Sequence, residues 1–443
     1  MSTYIVEGAH PLEGSIKPSG SKDSAVKLLA ASLLSNEDIV LENVPHTTDI
    51  DTMIEIINSI GGSVTWIGDN KLSVNGSAIN THIIPNELGS KTRFSTLLAG
   101  PLLFRFGKCV LSKTINTQTR SQPINRWVDT WKEMGVDVDS DKEFIYLEAK
   151  DLQSNTVNFK INTHMGTANA LITAAFIPGQ TMITNAAEEN EVDDLIEFLN
   201  IIGGEVERVE PRKIRVIGRN VFTAGYFEVQ PDTIETVAYA IAALVTKGNI
   251  TIKGLKKLQL SSFVNFLTKL GARFEYNRNE LCVWYGGEEF NPIRVESAPA
   301  PGFLTDWLPF ATLIMSYAGG QSYVNDTIYY DRYGFVKDLN RMGANIYLKK
   351  PSEVDFNCVI SDESYDYAKL GEPTSAAEIE GVKKLKGTRL NMNDNRFDSI
   401  LIIAALGAEG KSELIGIDEM FVRYENFFEK LSSLGASITG EKA

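Results

Sequence analysis

The chain has 443 residues, a mass of 48.9 kDa and a formal net charge of −14, from 57 acidic and 43 basic side chains. With 43% hydrophobic and 23% charged residues it is not a disordered chain, and its length fits two or three domains. The negative charge disfavours a general nucleic-acid or membrane-surface binder but allows a local basic site. The sequence shows no long apolar span, no secretory signal and only three scattered cysteines. We therefore expect a cytoplasmic protein without a transmembrane helix.

In chain order, one unit of about 70 residues recurs six times, and each copy contains two kinds of helix. The first kind is apolar on nearly all sides but too short to span a bilayer, so we predict that it is buried inside the protein. A turn and a strand follow each of these helices. The six buried helices are predicted to begin near Asp23, Thr92, Thr167, Ile234, Asp306 and Asn395.

The second kind of helix has apolar residues at i, i+3 or i+4 and i+7, the spacing of one buried face. It ends at a glycine that suits a left-handed C-cap, and a strand follows directly. These amphipathic helices are predicted from Met53, Trp127, Leu195, Phe263, Phe335 and Phe427. Their closing glycines are Gly61, Gly135, Gly203, Gly271, Gly343 and Gly435.

The repeat also predicts an architecture. Two helix types with different burial indicate layers, with the buried helices inside and the sheets and amphipathic helices outside. Units of this length fit two compact halves of three units each better than a solenoid of helix pairs. The chain is expected to cross between the halves near residues 18–22 and 230–232.

Charged residues stand at the starts of the buried helices, where free N–H groups and the positive end of the helix dipole favour anions. If these starts converge, their lysine, arginine and aspartate side chains would bind a substrate with both carboxylate and phosphate groups. The residues are Lys22, Asp23, Arg93, the turn His164, Met165 and Gly166, Asp306 and Arg396, with Arg120, Arg126, Arg332 and Arg423 in the same units.

Ordinary structural roles compete with this interpretation. Asp23 and Asp306 could be helix N-caps, a position that favours aspartate. Arg93, Arg396 and Arg423 could be surface ion-pair partners, which is the usual role of an isolated arginine. Spacing alone does not decide between these readings.

The histidines and cysteines indicate no metal site, because no ligand spacing relates them to each other or to carboxylates. His164 is expected to be a polar loop residue rather than a catalytic base. Cys109, Cys282 and Cys358 lie in strand-like contexts and are expected to be small core residues. The sequence therefore predicts neither a metal nor a cofactor.

Several stretches resemble one family, and the most specific are residues 300–306 (APGFLTD), 326–332 (DTIYYDR) and 339–344 (LNRMGA). On these stretches, and on the start at 14–31, the chain resembles the enolpyruvyl transferases from Tyr4 to about residue 438. The resemblance is strongest to the branch that uses UDP-N-acetylglucosamine in peptidoglycan precursor synthesis. The shikimate-pathway branch shares the sixfold unit but matches these stretches less well.

The resemblance implies an α/β (α+β) fold, a two-domain inside-out barrel of six βαβαββ units. Three units form each domain, with the buried helices inside. One domain is expected at residues 22–230, and the other joins residues 1–21 to 231–443. The active site is expected in the cleft between them.

The resemblance further implies a transferase that moves the enolpyruvyl group of phosphoenolpyruvate onto an acceptor hydroxyl and releases phosphate, by addition and then elimination. Asp306 would take the proton of the attacking hydroxyl, and Lys22 would help to protonate the double bond and to balance the phosphate charge. The implied phosphoenolpyruvate-binding residues are Lys22, Arg120, Arg332, Arg396 and Arg423. The implied acceptor-binding residues are Asp23, Arg93, His164, Met165, Gly166, Thr305, Asp306 and Ile328.

Two departures from the family pattern bear on function. The family loop carries a cysteine that fosfomycin alkylates, whereas the loop here, residues 113–123, reads KTINTQTRSQP. Depending on the alignment, Thr117 or Ile115 takes the cysteine position, so resistance to fosfomycin is predicted. The family's Lys-Asn pair is Lys22-Asp23 here, and a carboxylate cannot donate the amide hydrogen bonds to a nucleotide sugar.

Three functions therefore compete. The leading one is enolpyruvyl transfer to UDP-N-acetylglucosamine or a related nucleotide acceptor. The second is the same chemistry with another acceptor, such as a nucleoside monophosphate in secondary metabolism. The third is a non-catalytic nucleotide-sugar-binding paralogue, which the retained aspartate, lysine and arginines argue against. In every case we expect small-molecule partners, no nucleic acid and no membrane, in a monomer or homo-oligomer.

Overall fold

A computed structural model describes residues 3–113, 125–255, 258–277, 279–361, 365–392, 397–417 and 424–441. The chain divides into two compact units. The central unit is Gly20–Gln230, and the terminal unit joins Met1–Ser19 to Pro231–Ala443. Each unit contains its own cluster of buried apolar side chains.

The chain starts in the terminal unit and then builds the central unit in one continuous stretch. Its first two strands are β1 (Thr3–Glu7) and β2 (Glu13–Ile16). The central unit follows with α1 (Lys22–Ser32), β3 (Ile39–Glu42), α2 (Thr48–Ser59), β4 (Ser63–Gly68), β5 (Lys71–Asn75), α3 (Asn86–Gly89), a 3-10 helix (Arg93–Leu98), α4 (Ala99–Phe106), β6 (Lys108–Ser112), α5 (Asn125–Glu133), β7 (Val136–Ser140), β8 (Phe144–Ala149), β9 (Thr156–Asn158), α6 (His164–Ala174), β10 (Gln180–Thr184), α7 (Asn190–Ile201), β11 (Glu205–Glu210), β12 (Lys213–Ile217) and β13 (Gly225–Glu228).

The chain then returns to the terminal unit and completes it. The elements are α8 (Thr233–Val245), β14 (Asn249–Lys253), α9 (Ser261–Leu270), β15 (Arg273–Tyr276), β16 (Glu280–Trp284), β17 (Arg294–Glu296), a 3-10 helix (Thr305–Trp307), α10 (Leu308–Met315), β18 (Gln321–Asn325), α11 (Val336–Arg341), β19 (Asn345–Lys349), a 3-10 helix (Pro351–Val354), α12 (Tyr367–Leu370), β20 (Ala376–Glu380), β21 (Arg389–Asn391), α13 (Asp398–Gly407), β22 (Lys411–Ile415), α14 (Phe427–Ser433) and β23 (Ser437–Glu441).

Six small sheets are found in the described residues, three in each unit. The central sheets have the strand orders β13-β3-β5-β4, β6-β8-β7 and β11-β12-β10-β9. The terminal sheets have the orders β21-β22-β1-β23, β15-β16-β14-β2 and β17-β18-β20-β19. In three of them, a buried helix connects two parallel neighbours, as the βαβ part of the predicted repeat requires: β9 with β10, β17 with β18 and β21 with β22.

Two strands lie just before the points where the chain passes from one unit to the other, and each pairs inside its own unit with a strand distant in sequence. β2 precedes α1 in sequence but pairs in parallel with β14, with Glu13 opposite Asn249. β13 precedes α8 but pairs in parallel with β3, with Gly225 opposite Ile39. Each unit is therefore closed by a strand from a distant part of the chain.

The predicted layers are confirmed. In the terminal unit α8, α10 and α13 pack on one another, and in the central unit α4 packs on α6 and α1 on the first 3-10 helix. Most side chains of these helices are shielded from solvent on every side, which explains why the sequence is apolar all round. This is the inside-out arrangement predicted for the fold class.

All six closing glycines adopt the predicted left-handed conformation. Their φ values lie between 76° and 100°, a region that residues with a Cβ enter only at a cost. A strand begins one or two residues after each of them. The amphipathic helices therefore end by the predicted device.

Two of the six buried helices do not begin as regular α-helices, although the pattern predicts continuous helices. Residues 93–98 and 305–307 are 3-10 turns that lead into α4 and α10. Pro101 lies at the third position of α4 and Pro309 at the second of α10. A proline has no N–H for the carbonyl four residues earlier, and its ring clashes there, so the preceding turn takes the tighter geometry.

Candidate active site

The start of α1 carries two charged residues whose positions are fixed by the cap before them. Ser21 is the N-cap, because its side-chain oxygen accepts a hydrogen bond of 3.3 Å from the N–H of Ser24. Lys22 and Asp23 are therefore the first two helical residues. The N-cap alternative for Asp23 is wrong, and its carboxylate is left to interact with other side chains.

Lys22 is held by a carboxylate and an aromatic ring. Its Nζ lies 2.5 Å from Oδ2 of Asp49, in the first turn of α2, and 6.0 Å from the ring centroid of Phe94. The guanidinium of Arg93 lies over the same ring at 5.0 Å. Both cations therefore lie close together at the start of the buried helices, over one apolar surface.

Asp23 stands among positive charges. The nearest guanidinium nitrogen of Arg93 is 3.8 Å from its Oδ1. Burial raises the pKa of Asp23, but the charges of Lys27, Lys22, Arg93 and His164 together lower this pKa to about 2. The carboxyl is therefore ionised at neutral pH and can only accept hydrogen bonds.

Lys27 lies one turn further along α1, and its side chain is completely buried. Its Nζ donates to the backbone carbonyl of Asp23 at 2.7 Å and lies 3.7 Å from Oε1 of Glu191. The same Oε1 is 3.2 Å from Nδ1 of His164. Burial raises the pKa of Glu191, but the charges of Lys27 and His164 leave it below its ordinary value. Lys27, Glu191 and His164 thus form one charged contact network with Asp23.

His164 is not a loop residue, contrary to expectation. It is the first residue of α6, whose N-cap is Thr163. The Thr163 hydroxyl accepts a bond of 3.2 Å from the N–H of Gly166, and a Cβ on that glycine would lie 2.4 Å from the Thr163 methyl. The side chain of Met165 is buried. Met165 can therefore offer a ligand only its backbone, while the N–H of Gly166 is already bonded to Thr163.

In the terminal unit, Asp306 pairs with Arg332. The distance from Oδ1 to the guanidinium Nη2 is 3.1 Å, and the side chains are 32% and 21% exposed. Nη1 of the same arginine lies 3.3 Å from the hydroxyl of Thr305. Leu304 is the N-cap of this 3-10 turn, so the N-cap alternative for Asp306 is also wrong.

A buried aspartate, Asp326, holds the residues around this pair through hydrogen bonds. Asp326 is 1% exposed and accepts four hydrogen bonds, from the hydroxyls of Thr305 (2.7 Å) and Ser297 (2.9 Å) and from the N–H groups of Ile328 (2.9 Å) and Tyr329 (3.2 Å). A buried carboxylate is stable only when it is hydrogen-bonded, and this one has four donors. Asp326 therefore fixes both Thr305 and the segment that leads to Arg332.

Arg332 is further held by the ring of Tyr329, whose centroid lies 4.6 Å from the guanidinium carbon. Asp306 and Arg332 also line a small cavity with Pro309, Phe310, Phe397, Ser399 and Ile400. A partly exposed carboxylate beside such a cavity can accept a proton, and a fixed guanidinium can bind an anion.

Several predicted residues lie outside the described part of the chain. These are Arg120, Arg396 and Arg423, together with Thr117 and Ile115 at the position of the family cysteine. The structure brings the other predicted residues into two groups. Lys22, Asp23, Arg93 and His164 lie together in the central unit, and Thr305, Asp306, Ile328 and Arg332 lie together in the terminal unit.

Sequence reasoning missed four residues that hold these groups, namely Lys27, Asp49, Glu191 and Asp326. Lys27 could have been found, because a lysine inside an all-round apolar helix needs a buried partner. Asp326 directly follows a strand and lies in one of the family-like stretches, which is a weaker signal. Asp49 and Glu191 look like ordinary acidic residues in the first turn of a helix.

Among the described residues, no group of three or more histidine, cysteine, aspartate or glutamate side chains could hold a metal ion. Within the same ranges, none of the helices is long and apolar enough to cross a membrane. Cys109 is buried in β6, and burial raises the pKa of its thiol. Cys282 lies in β16, but Cys358 lies in a loop rather than in the expected strand.

Known proteins resemble this chain over its whole length. The sequence pattern of the EPSP synthase (3-phosphoshikimate 1-carboxyvinyltransferase) family matches residues 6–431. UDP-N-acetylglucosamine 1-carboxyvinyltransferase of Wolbachia pipientis subsp. Culex pipiens (strain wPip) is 32% identical over 446 residues, which cover 99% of both chains. The enzyme of the same name from Prochlorococcus marinus (strain MIT 9301) is 34% identical, covering 98% of this chain and 90% of that protein.

Solved structures share the fold at lower identity. The enolpyruvyl transferase NikO from Streptomyces tendae superposes with a TM-score of 0.85 at 21% identity, covering 100% of this chain and 99% of that one. An EPSP synthase from Acinetobacter baumannii superposes with a TM-score of 0.76 at 14% identity, covering 100% of both chains. The two-unit arrangement of small sheets and buried helices is therefore common to these proteins.

Proposed function

The chain belongs to the EPSP synthase (3-phosphoshikimate 1-carboxyvinyltransferase) family, and on this premise we propose that it transfers the enolpyruvyl group of phosphoenolpyruvate to a hydroxyl of UDP-N-acetylglucosamine. The choice of acceptor is supported by relatives named UDP-N-acetylglucosamine 1-carboxyvinyltransferase. These are at least 30% identical over nearly the whole chain. The single structural observation that carries the chemistry is the Asp306–Arg332 pair, a carboxylate and an anion-binding group side by side.

The reaction consists of an addition and an elimination. In the addition, the acceptor oxygen bonds to C2 of phosphoenolpyruvate, loses its proton, and C3 gains a proton to become a methyl group. In the elimination, the methyl group loses a proton, the bond from C2 to the phosphate oxygen breaks, and the double bond forms again. The protein must therefore supply a base, a proton donor and positive charge for the carboxylate and the phosphate.

Asp306 is the proposed base for the acceptor hydroxyl. Its carboxylate is about one-third exposed and so accessible to a substrate, while the guanidinium of Arg332 at 3.1 Å favours its ionised form. Thr305, tied to Asp326 at 2.7 Å, fixes the turn that carries it. A rigid, ionised carboxylate suits a proton acceptor that must meet a hydroxyl in one orientation.

Lys22 is the proposed proton donor to C3 and a counter-charge for the phosphate. Its ammonium group has three hydrogens, and Asp49 accepts a hydrogen bond of 2.5 Å from one of them. Asp49 thereby orients the group without occupying all of its donors. We propose that Lys22 and Asp306 act on the same pair of substrates.

Permanently charged guanidinium groups are the proposed ligands of the phosphoenolpyruvate carboxylate and phosphate. Arg332 is held for this role by Asp306, Thr305 and the ring of Tyr329. The same role is proposed for Arg120, Arg396 and Arg423, on the family resemblance alone.

The acceptor is proposed to contact side chains of Asp23, Arg93 and His164, the backbone of Met165 and Gly166, and Thr305 and Ile328. Arg93 and His164 supply positive charge and hydrogen-bond donors for a diphosphate. Asp23, ionised among its cationic neighbours, can only accept, so it would bind a hydroxyl or amide N–H of the acceptor. An asparagine at that position could donate as well as accept.

An acceptor screen tests the proposal. The purified protein is given phosphoenolpyruvate with UDP-N-acetylglucosamine, or with a nucleoside monophosphate, or with no acceptor, and phosphate release is measured. We expect release only with UDP-N-acetylglucosamine. Release only with the monophosphate would move the protein to the second hypothesis, and binding of the nucleotide sugar without any release would support a non-catalytic role.

The altered loop gives a second test of the same reaction. Because neither Thr117 nor Ile115 has a thiol, we expect turnover to be unaffected by fosfomycin at concentrations that fully inhibit an enzyme with the loop cysteine. Time-dependent loss of activity with fosfomycin, with a mass increase on another residue, would contradict this expectation. The proposed substrates are small molecules, phosphoenolpyruvate serves as a co-substrate without a further cofactor, and we propose that the protein works in the cytoplasm.

A further inference from the structure

The imidazole of His164 lies between two groups of opposite charge. Its Nδ1 is 3.2 Å from a carboxylate oxygen of Glu191 and 3.5 Å from the ammonium nitrogen of Lys27. A ring nitrogen either carries a hydrogen and donates, or carries a lone pair and accepts. Nδ1 can therefore bond only one of these neighbours.

The donor requirements of the neighbours decide which one. Lys27 already donates to the carbonyl of Asp23 at 2.7 Å, and its Nζ also lies 3.7 Å from Glu191. The carboxylate of Glu191 can only accept, and it is the closer partner of the ring. The hydrogen therefore lies on Nδ1 and points to Glu191, a pairing that also orients the ring.

This arrangement makes Nε2 the nitrogen that changes its protonation state. His164 is 29% exposed, and no hydrogen bond to Nε2 is found within the part of the chain that the structure describes. Unprotonated, Nε2 is an acceptor; protonated, it is a donor on a cation. Only the second form attracts an oxyanion.

The surrounding charges nearly cancel without an imidazolium. Three cations and three carboxylates are linked by the contacts described above: Lys22, Lys27 and Arg93 with Asp23, Asp49 and Glu191. A seventh group, the carboxyl of Glu189 at the N-cap of α7, also faces His164; burial and then the charge of Glu191 raise its pKa. Within these described residues, no net positive charge remains to balance a diphosphate unless His164 gains a proton.

We propose that His164 takes up a proton from solvent at Nε2 when the diphosphate of the nucleotide acceptor binds, and that the imidazolium then donates a hydrogen bond to a phosphate oxygen. Glu191 is the positioning residue that keeps the other hydrogen on Nδ1. This inference rests on the proposed function, because it needs a diphosphate-bearing acceptor. Acceptor affinity then falls as the pH rises and the imidazolium loses its proton.

Charged groups of two helices lie close to the ring. Lys27 and Asp23 face it from α1, and Glu191 and Glu189 face it from the start of α7. Lys27 opposes the proton on the ring, while the three carboxyl groups favour it. The negative charge of a bound diphosphate would add to the carboxyl groups in favouring the proton.

Calorimetry measures the proton directly. UDP-N-acetylglucosamine is titrated into the full-length protein at about pH 7.5 in two buffers of different ionisation enthalpy, and the difference in heat gives the number of protons taken up. We expect uptake of a fraction of one proton per site by the native protein. His164→Gln should abolish this uptake and weaken binding by about 10-fold to 100-fold at low pH, the range for a lost charged hydrogen bond.

A second variant separates positioning from packing. Glu191→Gln keeps the shape of the side chain and an acceptor for Nδ1 but removes the charge that favours the imidazolium. We expect the decline of affinity with pH to shift to lower pH, with affinity at the acid limit nearly retained. His10→Gln, which removes an exposed histidine of the terminal unit, is the matched control and should leave the pH profile unchanged.

The outcomes distinguish a failure of the His164 inference from a failure of the proposed function. Normal phosphate release together with equal proton uptake by the native protein and the His164→Gln variant would overturn the inference and leave the proposed function intact. A uniform loss of affinity at all pH values in Glu191→Gln would also contradict it, since a merely structural role predicts that result. A protein that releases no phosphate from phosphoenolpyruvate and UDP-N-acetylglucosamine would overturn both.

Discussion

The two units place different kinds of chemistry at the starts of their buried helices. In the central unit, three cations and three carboxylates share a chain of contacts around Asp23. In the terminal unit, one carboxylate and one guanidinium form a pair, and the buried Asp326 holds that pair through Thr305. The first arrangement disperses charge over several groups, whereas the second places the proposed base beside one proposed anion-binding group.

One repeated scaffold is thus proposed to serve two tasks. A ligand with several charges is best met by several groups whose positions and protonation states adjust together. A single proton transfer needs one group in a fixed position. Substitutions should therefore have graded effects in the central unit and all-or-none effects in the terminal unit.

The largest effect is expected at Asp306. Asp306→Asn keeps the size of the side chain but removes the proposed base, so turnover should fall by about 10²-fold to 10⁴-fold, the usual contribution of a positioned acid or base. Binding of the acceptor, measured by calorimetry, should change little. The control is Asp69→Asn, which alters an exposed aspartate in the turn between β4 and β5.

Full turnover in Asp306→Asn would show that Asp306 is not the base. It would also contradict the expected difference between the two units. A parallel loss of binding and turnover would instead show that Asp306 acts by holding the acceptor.

The next effect is expected at Asp326. Asp326→Asn introduces donor hydrogens where four donors already point, so at least one hydrogen bond at this buried site must be lost. We expect a loss of about 1–3 kcal/mol in the free energy of unfolding, measured with urea. Turnover should fall while acceptor affinity is retained, because the pair at Asp306 loses its support. Unchanged stability would show that the site adapts as readily as the central one.

A smaller effect concerns acid stability in the central unit. The pKa of Asp23 is about 2 in the folded protein against 3.8 for the free side chain, so its ionised form stabilises the fold above about pH 4. This contribution, about 2 kcal/mol, is lost as the pH falls from about 4 to about 2. Asp23→Asn should therefore lower the stability at pH 5 but flatten its decline below pH 4. Urea unfolding at both pH values measures the difference, and parallel curves for the two proteins would contradict it.

The smallest expected difference, between two glycine variants, tests whether the two units end their helices alike. Gly61 and Gly343 both have φ near 97°, so an added Cβ strains either one. At Gly61 the new atom would also lie 2.7 Å from the carbonyl oxygen of Ala78, whereas at Gly343 nothing lies within 4 Å. We expect Gly343→Ala to cost about 1–2 kcal/mol of stability and Gly61→Ala about 1 kcal/mol more. Equal losses would show that the contact relaxes.

The repeat could be predicted from the sequence because it rests on local rules. Apolar periodicity, burial on all sides and the closing glycines all act within one helix, and Gly61 and its five equivalents adopt the expected φ. The starts of α4 and α10 were predicted less well. There Pro101 and Pro309 remove a hydrogen bond to the preceding turn, and the 3-10 geometry follows from that loss.

The candidate site could be predicted only in part. Lys22, Asp23 and Asp306 stand out because they are charged residues at the starts of apolar helices. Their partners do not stand out, since Asp49 and Glu191 lie on other helices, and only the packing of α1 against α2 and α7 brings them close. Contacts between residues distant in sequence, rather than local pattern, decide which charges neutralise each other.

The long-range pairing of β2 with β14 and of β13 with β3 bears on the order in which the two units can form during synthesis. When Glu228 leaves the ribosome, every strand of the central unit has been synthesised, and the unit can close on itself through β13. Of the terminal unit, only β1 and β2 have been synthesised at that moment. Their partners β14, β22 and β23 come later in the chain. All strands of the central unit can therefore be present when only two strands of the terminal unit have been synthesised. β1 and β2 therefore lack their partner strands until the rest of the chain has been synthesised.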